Sequence, residues 1–170
     1  KYRINYEKDL AYYKNKGKTA MQELKTRYIK AKRALFEKVY SAFLNPEQSR
    51  AVFTAQGPLL VLAGAGSGKT TVLVNRIAYI IKYGNAYFSE ICEDYITEQS
   101  VSALEAAVSL TPDEISAILT DFTESPPKPW QVLAITFTNK AAGEIKDRLA
   151  RTFNDKSVSG AVWAGTFHSV

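Results

Sequence analysis

The chain has 170 residues, the length of one domain with a core of its own and too little for a multidomain machine. Its 46% hydrophobic and 23% charged residues, with 9 Gly and 6 Pro, exclude collagen-like and low-complexity classes. A balance of 22 Lys and Arg against 17 Asp and Glu, net +5, suits a polyanionic partner without requiring one. Cys92 is the single cysteine and His168 the single histidine, so the sequence offers neither an internal disulfide nor a Cys/His zinc site. No apolar run approaches the roughly 18–20 residues of a membrane helix, and Lys1-Tyr2-Arg3-Ile4-Asn5-Tyr6 opens no signal peptide. The expectation is a soluble, cytoplasmic protein with no membrane partner.

Charge is unevenly spread. Residues 1–40 carry 12 basic and 4 acidic side chains, and residues 84–129 carry 1 basic and 9 acidic, giving blocks of +8 and −8. In the first block, Met21, Leu24, Tyr28, Ala31, Leu35 and Val39 recur at three- and four-residue steps, which predicts one apolar face of a helix whose other face is lysine-rich. Residues 1–40 therefore read as a basic helical extension packed on the next domain. Six tyrosines interleaved with its lysines also suit stacking on single-stranded nucleic acid.

Asn45-Pro46-Glu47-Gln48 predicts a helix start, with an Asn cap, Pro in the first turn and Gln three residues on, running to about Ala55. Pro58 to Ala63 is a continuous apolar run, the pattern of a strand buried on both faces. Gly64 to Gly68 breaks it, and Lys69 to Tyr83 returns to helical spacing, with Leu73, Ile77, Ile80 and Ile81 on one face and Gly84 as cap. Residues 84–129 read as an acidic helical insertion. It holds one helix over Ser100–Leu110 and a second opened by Thr111-Pro112-Asp113-Glu114 and running through Phe122, ended by Pro126, Pro127 and Pro129. Gln131–Thr136 then predicts a buried strand, Lys140–Phe153 a helix and Ala161–Gly165 a third strand. Strands alternating with helices predict an α/β fold with a parallel sheet.

The strongest chemical signal is Ala63-Gly64-Ala65-Gly66-Ser67-Gly68-Lys69-Thr70, a P-loop with Ala in its first position, lying between predicted strand and helix. Its glycines let backbone N–H groups turn toward a phosphate, and the following helix N-terminus adds positive potential. Lys69 reaches the β/γ-phosphates in such a loop, and the Thr70 hydroxyl is the Mg²⁺ ligand. ATP with Mg²⁺ is the expected cofactor.

Four stretches in order carry a family resemblance: Leu44-Asn45-Pro46-Glu47-Gln48, Leu62 to Thr70, Ala134-Ile135-Thr136-Phe137-Thr138-Asn139-Lys140-Ala141-Ala142, and Gly165-Thr166-Phe167-His168-Ser169. Together they resemble the UvrD/Rep superfamily 1 DNA helicases over about half the chain. The resemblance implies a partial RecA-like ATP-binding motor domain over 41–170, moving 3′ to 5′ on single-stranded DNA and acting at its junctions with duplex. Gln48 then reads the adenine edge, for which its amide donates and accepts; the same residue is also what the helix cap wants. Arg76 looks like the arginine stacked on the base; the alternative is a plain surface ion pair. Thr71 follows Lys69-Thr70 where family members often carry a basic residue; it is counted with the nucleotide loop, its charge contribution missing.

Thr136, Phe137, Thr138, Asn139 and Lys140 correspond to a DNA-contact motif, in which Phe137 stacks on a base while the new helix N-terminus holds a phosphate. Read without the motif, Phe137 is core and Asn139 a helix cap. Thr166, Phe167 and His168 resemble the next single-strand contact, with His168 serving either DNA or the geometry of the turn.

Hydrolysis needs a further carboxylate strand to complete the metal shell, and none of the three apolar runs ends in Asp-Glu. The chain is therefore expected to be a fragment that binds Mg·ATP without turning it over, its partners including the remaining helicase domains. The acidity of 84–129 repels DNA, so a protein partner or a structural role is expected there. Other readings are a nucleotide-gated interaction module and the helicase subunit of a recombination helicase-nuclease.

Overall fold

The computed structural model describes residues 6–92 and 95–169, with side chains from residue 17 onward. In chain order the elements are α1 (Tyr6–Tyr40), α2 (Pro46–Phe53), α3 (Lys69–Tyr83), α4 (Glu98–Ala106), α5 (Pro112–Leu119), β1 (Leu133–Thr136), α6 (Asn139–Phe153), α7 (Lys156–Ala161) and β2 (Trp163–Thr166). Short 3₁₀ turns follow α4 and precede β1. Strands β1 and β2 are parallel and in register from Leu133 opposite Trp163 to Thr136 opposite Thr166. The crossover through α6 and α7 is the right span for that pairing. Among the described residues no helix is long and apolar enough to cross a membrane.

The predicted caps form. Asn45 accepts from the Gln48 N–H while Gln48 returns a bond to the Asn45 N–H, and Thr111 and Glu114 do the same for α5. Gly84 ends α3 at φ 62°, and a Cβ there would stand 1.9 Å from the Glu124 carbonyl oxygen, so only glycine fits.

Three expectations change. The Pro58–Ala63 run forms no regular element and joins no strand among the described residues, and Leu60 and Leu62 are 81% and 86% exposed. An apolar run marks a segment able to be buried, but the pairing has to come from neighbours, and β1 and β2 pair only with each other. Leu73 is exposed, because α3 buries two faces: Val72, Tyr79 and Tyr83 on one side, Val74, Ile77 and Ala78 on the other. Helix α7 occupies the stretch just before β2, shortening the predicted strand; Asp155 caps it by accepting from the Ser157 N–H.

Helix α3 thus divides the interior. One core gathers Leu35, Phe36 and Tyr40 of α1, Val52 and Phe53 of α2, and Ile115 and Leu119 of α5 against Tyr79 and Tyr83. Its rings meet edge to face, Phe36 and Tyr83 at 5.2 Å and Tyr40 and Phe53 at 5.1 Å between centroids. The second core sets Ala134 of β1 and Ile145 and Leu149 of α6 against Val74, Ile77 and Ala78.

Helix α1 runs longer than its apolar pattern suggests, and several of its cations are committed to other segments of the chain. Arg27 bonds Glu98 and Glu105 of α4, Lys32 is 2% exposed and donates to the Ser89 carbonyl at 2.6 Å, and Arg33 donates to the Tyr87 carbonyl. Burial pushes the Lys32 ammonium below its ordinary range. Tyr2 and the side chains of Tyr6, Tyr12 and Tyr13, on which the stacking expectation partly rested, lie outside the described residues, as do Glu93 and Asp94.

Candidate nucleotide and strand-exit site

Gly66 and Gly68 take φ of 75° and 83°, the left-handed turns that let the loop double back into α3. Ala63 to Ser67 are all exposed, with Gly68 half-buried under Gln48. The loop is presently satisfied by its own groups. Lys69 Nζ donates to the carbonyls of Ala63 at 3.1 Å and Gly64 at 2.6 Å, and Ser67 Oγ donates to Gly64. An ammonium held by two neutral carbonyls is available to phosphate oxygens, which make stronger, charge-assisted bonds. At the start of α3 the N–H groups of Lys69 and Thr70 have no backbone acceptor, and the Thr70 hydroxyl makes no hydrogen bond among the described residues. Both facts fit an anion with a Mg²⁺ ion beside it.

Gln48 does more than cap α2. Its Oε1 accepts from the Asn45 N–H at 3.0 Å while its Nε2 donates to the Ser67 carbonyl at 3.1 Å, tying α2 to the phosphate loop. One amide hydrogen and one lone pair remain for a base edge. Among the described residues Arg76 makes no ion pair: its guanidinium donates to the Ala51 carbonyl at 2.6 Å, and partial burial lowers its pKa. Both residues expected at the base thus converge on α2.

Thr71 accepts from Arg148 of α6 at 3.5 Å, and Arg148 also pairs with Glu144. A positive charge therefore stands beside Thr71 after all, supplied from another element. Spacing within the motif gave no signal for Arg148, because the contact crosses from α3 to α6.

Where β1 gives way to α6, Phe137 is fully exposed, which removes the core reading of that ring. Thr138, not Asn139, caps the helix, accepting from the Ala141 N–H at 3.1 Å; Asn139 is the first helical residue and Lys140 follows it in solvent. The Thr136 hydroxyl donates to the Thr138 carbonyl at 2.9 Å and lies 3.4 Å from the Gly165 carbonyl, linking the two strand exits. After β2, Phe167 is 77% exposed with the His168 ring edge-on at 6.0 Å. Ser169, which the pattern quotes without a role, organises this turn: its hydroxyl oxygen accepts from the Thr166 N–H at 2.8 Å. Parallel pairing of β1 with β2 sets both aromatic-bearing turns at one sheet edge.

The UvrD/REP helicase N-terminal domain matches residues 44–109 and 115–170. The chain belongs to that family. Similar proteins include the ATP-dependent DNA helicase PcrA of Staphylococcus aureus, 39% identical over 127 residues, and that of Leuconostoc citreum, 34% identical over 127 residues. The ATP-dependent DNA helicase UvrD1 of Mycobacterium leprae is 39% identical over 126 residues. The matches take in 75%, 75% and 74% of this chain but only 12%, 11% and 11% of those proteins. Family membership accounts for the order of the four motifs, and the helix-rich fold with its small parallel sheet is compatible with part of the motor domain the resemblance implies.

Proposed function

We propose that residues 41–170 are the ATP-binding part of the first RecA-like motor domain of a DNA helicase, with 1–40 as a helical extension and 84–129 as an insertion. The observation that carries this reading is one sheet edge bearing two exposed aromatic turns, on a chain that also carries a P-loop whose lysine is held only by two neutral loop carbonyls that phosphate oxygens can replace. Bound Mg·ATP would supply the cleavable γ-phosphoryl group.

In this reading the chain's own residues hold and orient. Ala63 to Gly68 wrap the phosphates, Lys69 leaves the loop carbonyls for phosphate oxygens, and Thr70 offers its hydroxyl to Mg²⁺. Gln48 and Arg76 flank the base, with Thr71 and Arg148 beside the first turn of α3. Phe137 and Phe167 stack on bases of a single strand, while Thr136, Thr138, Asn139, Lys140, Thr166 and His168 hold its backbone or shape the turns. Movement 3′ to 5′ and action at duplex junctions belong to the same proposal, as do the remaining helicase domains as partners. Part of the opposite charge of the extension and the insertion is spent within the chain, where Arg27 pairs with Glu98 and Glu105. That favours the motor over an interaction module.

The deciding assay is ATP hydrolysis by the full-length product of the reading frame, with and without single-stranded DNA. DNA-stimulated turnover is expected, reduced about 100-fold or more in Lys69→Ala. Turnover indifferent to DNA, or retained without Lys69, would sink the proposal.

A further inference from the structure

A concavity of about 460 Å³ opens where the end of α1, helix α2 and the start of the insertion meet, and none of the residues assigned above to nucleotide or DNA lines it. Its size lies within the roughly 300–1,000 Å³ typical of ligand pockets. Leu44, Pro46, Phe53 and Phe88 supply apolar wall, and Phe88 is 44% exposed. Two charged groups share the rim. The Arg50 guanidinium makes no hydrogen bond or ion pair among the described residues, while Glu37 commits one carboxylate oxygen to the Tyr87 hydroxyl at 2.5 Å.

These groups define the chemistry of an occupant. An apolar wall beside an uncommitted guanidinium complements a large apolar side chain next to a single carboxylate. A polyanion is disfavoured, because the lining carries one charge of each sign, Arg50 and Glu37, and so no net positive charge. We propose that this concavity captures the carboxyl terminus of a peptide whose last residue is large and apolar, with Arg50 binding the terminal carboxylate. The occupant would also touch the helix that presents Gln48 to the phosphate loop, since Pro46, Arg50 and Phe53 recur on one face of α2 at three- and four-residue steps. Peptide capture does not depend on the motor reading.

The test is fluorescence anisotropy of a fluorescein-labelled Gly-Ser-Gly-Leu-Phe peptide with a free carboxyl terminus, titrated with the full-length product. Saturable binding is expected, weakened about tenfold or more by amidating the terminus or replacing its Phe by Ala. Arg50→Gln should lose a similar factor, Arg50→Lys less, and Phe88→Ala should weaken binding without changing the thermal melt. Binding of a fluorescent ATP analogue, measured on the same samples, separates this outcome from failure of the nucleotide site. Absence of saturation, equal binding of free and amidated peptides, or full affinity in Arg50→Gln would overturn the proposal.

Discussion

The two cores on either side of α3 are finished to different degrees. Toward α1, α2 and the insertion, aromatic rings from α1, α2 and α3 and from the turn at Tyr87 close over one another, with Phe36 and Tyr79 wholly buried. Toward the sheet, β1 and β2 bury one face against α6 and leave the other open, with Leu133 and Ile135 about half exposed and Trp163 at 59%. The exposed rings offered to DNA lie on the open side, whereas Gln48 and Arg76, the groups offered to the base, meet at α2 on the closed side. Strand contact thus rests on the half of the molecule with the least packing of its own, and base contact on the half with the most.

That contrast can be broken by stability measurements. Phe36→Ala should cost the most, about 3–5 kcal/mol in urea denaturation, because the ring touches four other aromatics and leaves a cavity none can fill. Leu149→Ala, also wholly buried but in the half-open core, should fall near 2–3 kcal/mol, the low end for such truncations. If Leu149→Ala cost more than Phe36→Ala, the two cores would not differ as described. Thr138→Ala removes the cap of α6 and should cost about 1 kcal/mol, read in the same titration.

The smallest effect belongs to pH. The bond from Arg27 holds the Glu105 carboxyl below its usual 4.5, so its contribution is present above that pH and lost as pH falls through the lower folded value. Hydrogen exchange in α4 should therefore quicken modestly below about pH 4.5, and Arg27→Ala should remove that dependence. Both partners are solvent-exposed, so a large change would point to some other carboxylate.

Local rules were the most legible part of the sequence. The caps at Asn45 and Thr111, the limits of α3 and the glycines of the phosphate loop all follow from residues a few positions apart. What a short window cannot hold was missed. The 58–63 run has strand character without a pairing partner, and the two-sided burial of α3 depends on elements distant in the chain. Opposite charge in 1–40 and 84–129 was plain, but not that Arg27 meets Glu98 and Glu105. At the site, residue types were readable and commitments were not: Gln48 and Lys69 spend their hydrogen bonds on the loop itself, and Arg148 arrives from α6.

The insertion leaves and returns through one narrow neck. Asn85 N–H donates to the Glu124 carbonyl at 2.9 Å, and Glu124 N–H donates to the Tyr83 carbonyl at 3.0 Å. Some forty residues therefore begin and end at nearly the same point. The neck does for the chain what a tight turn would do: it hands the backbone on from α3 toward β1 almost where it was taken up, whatever the length of the excursion between.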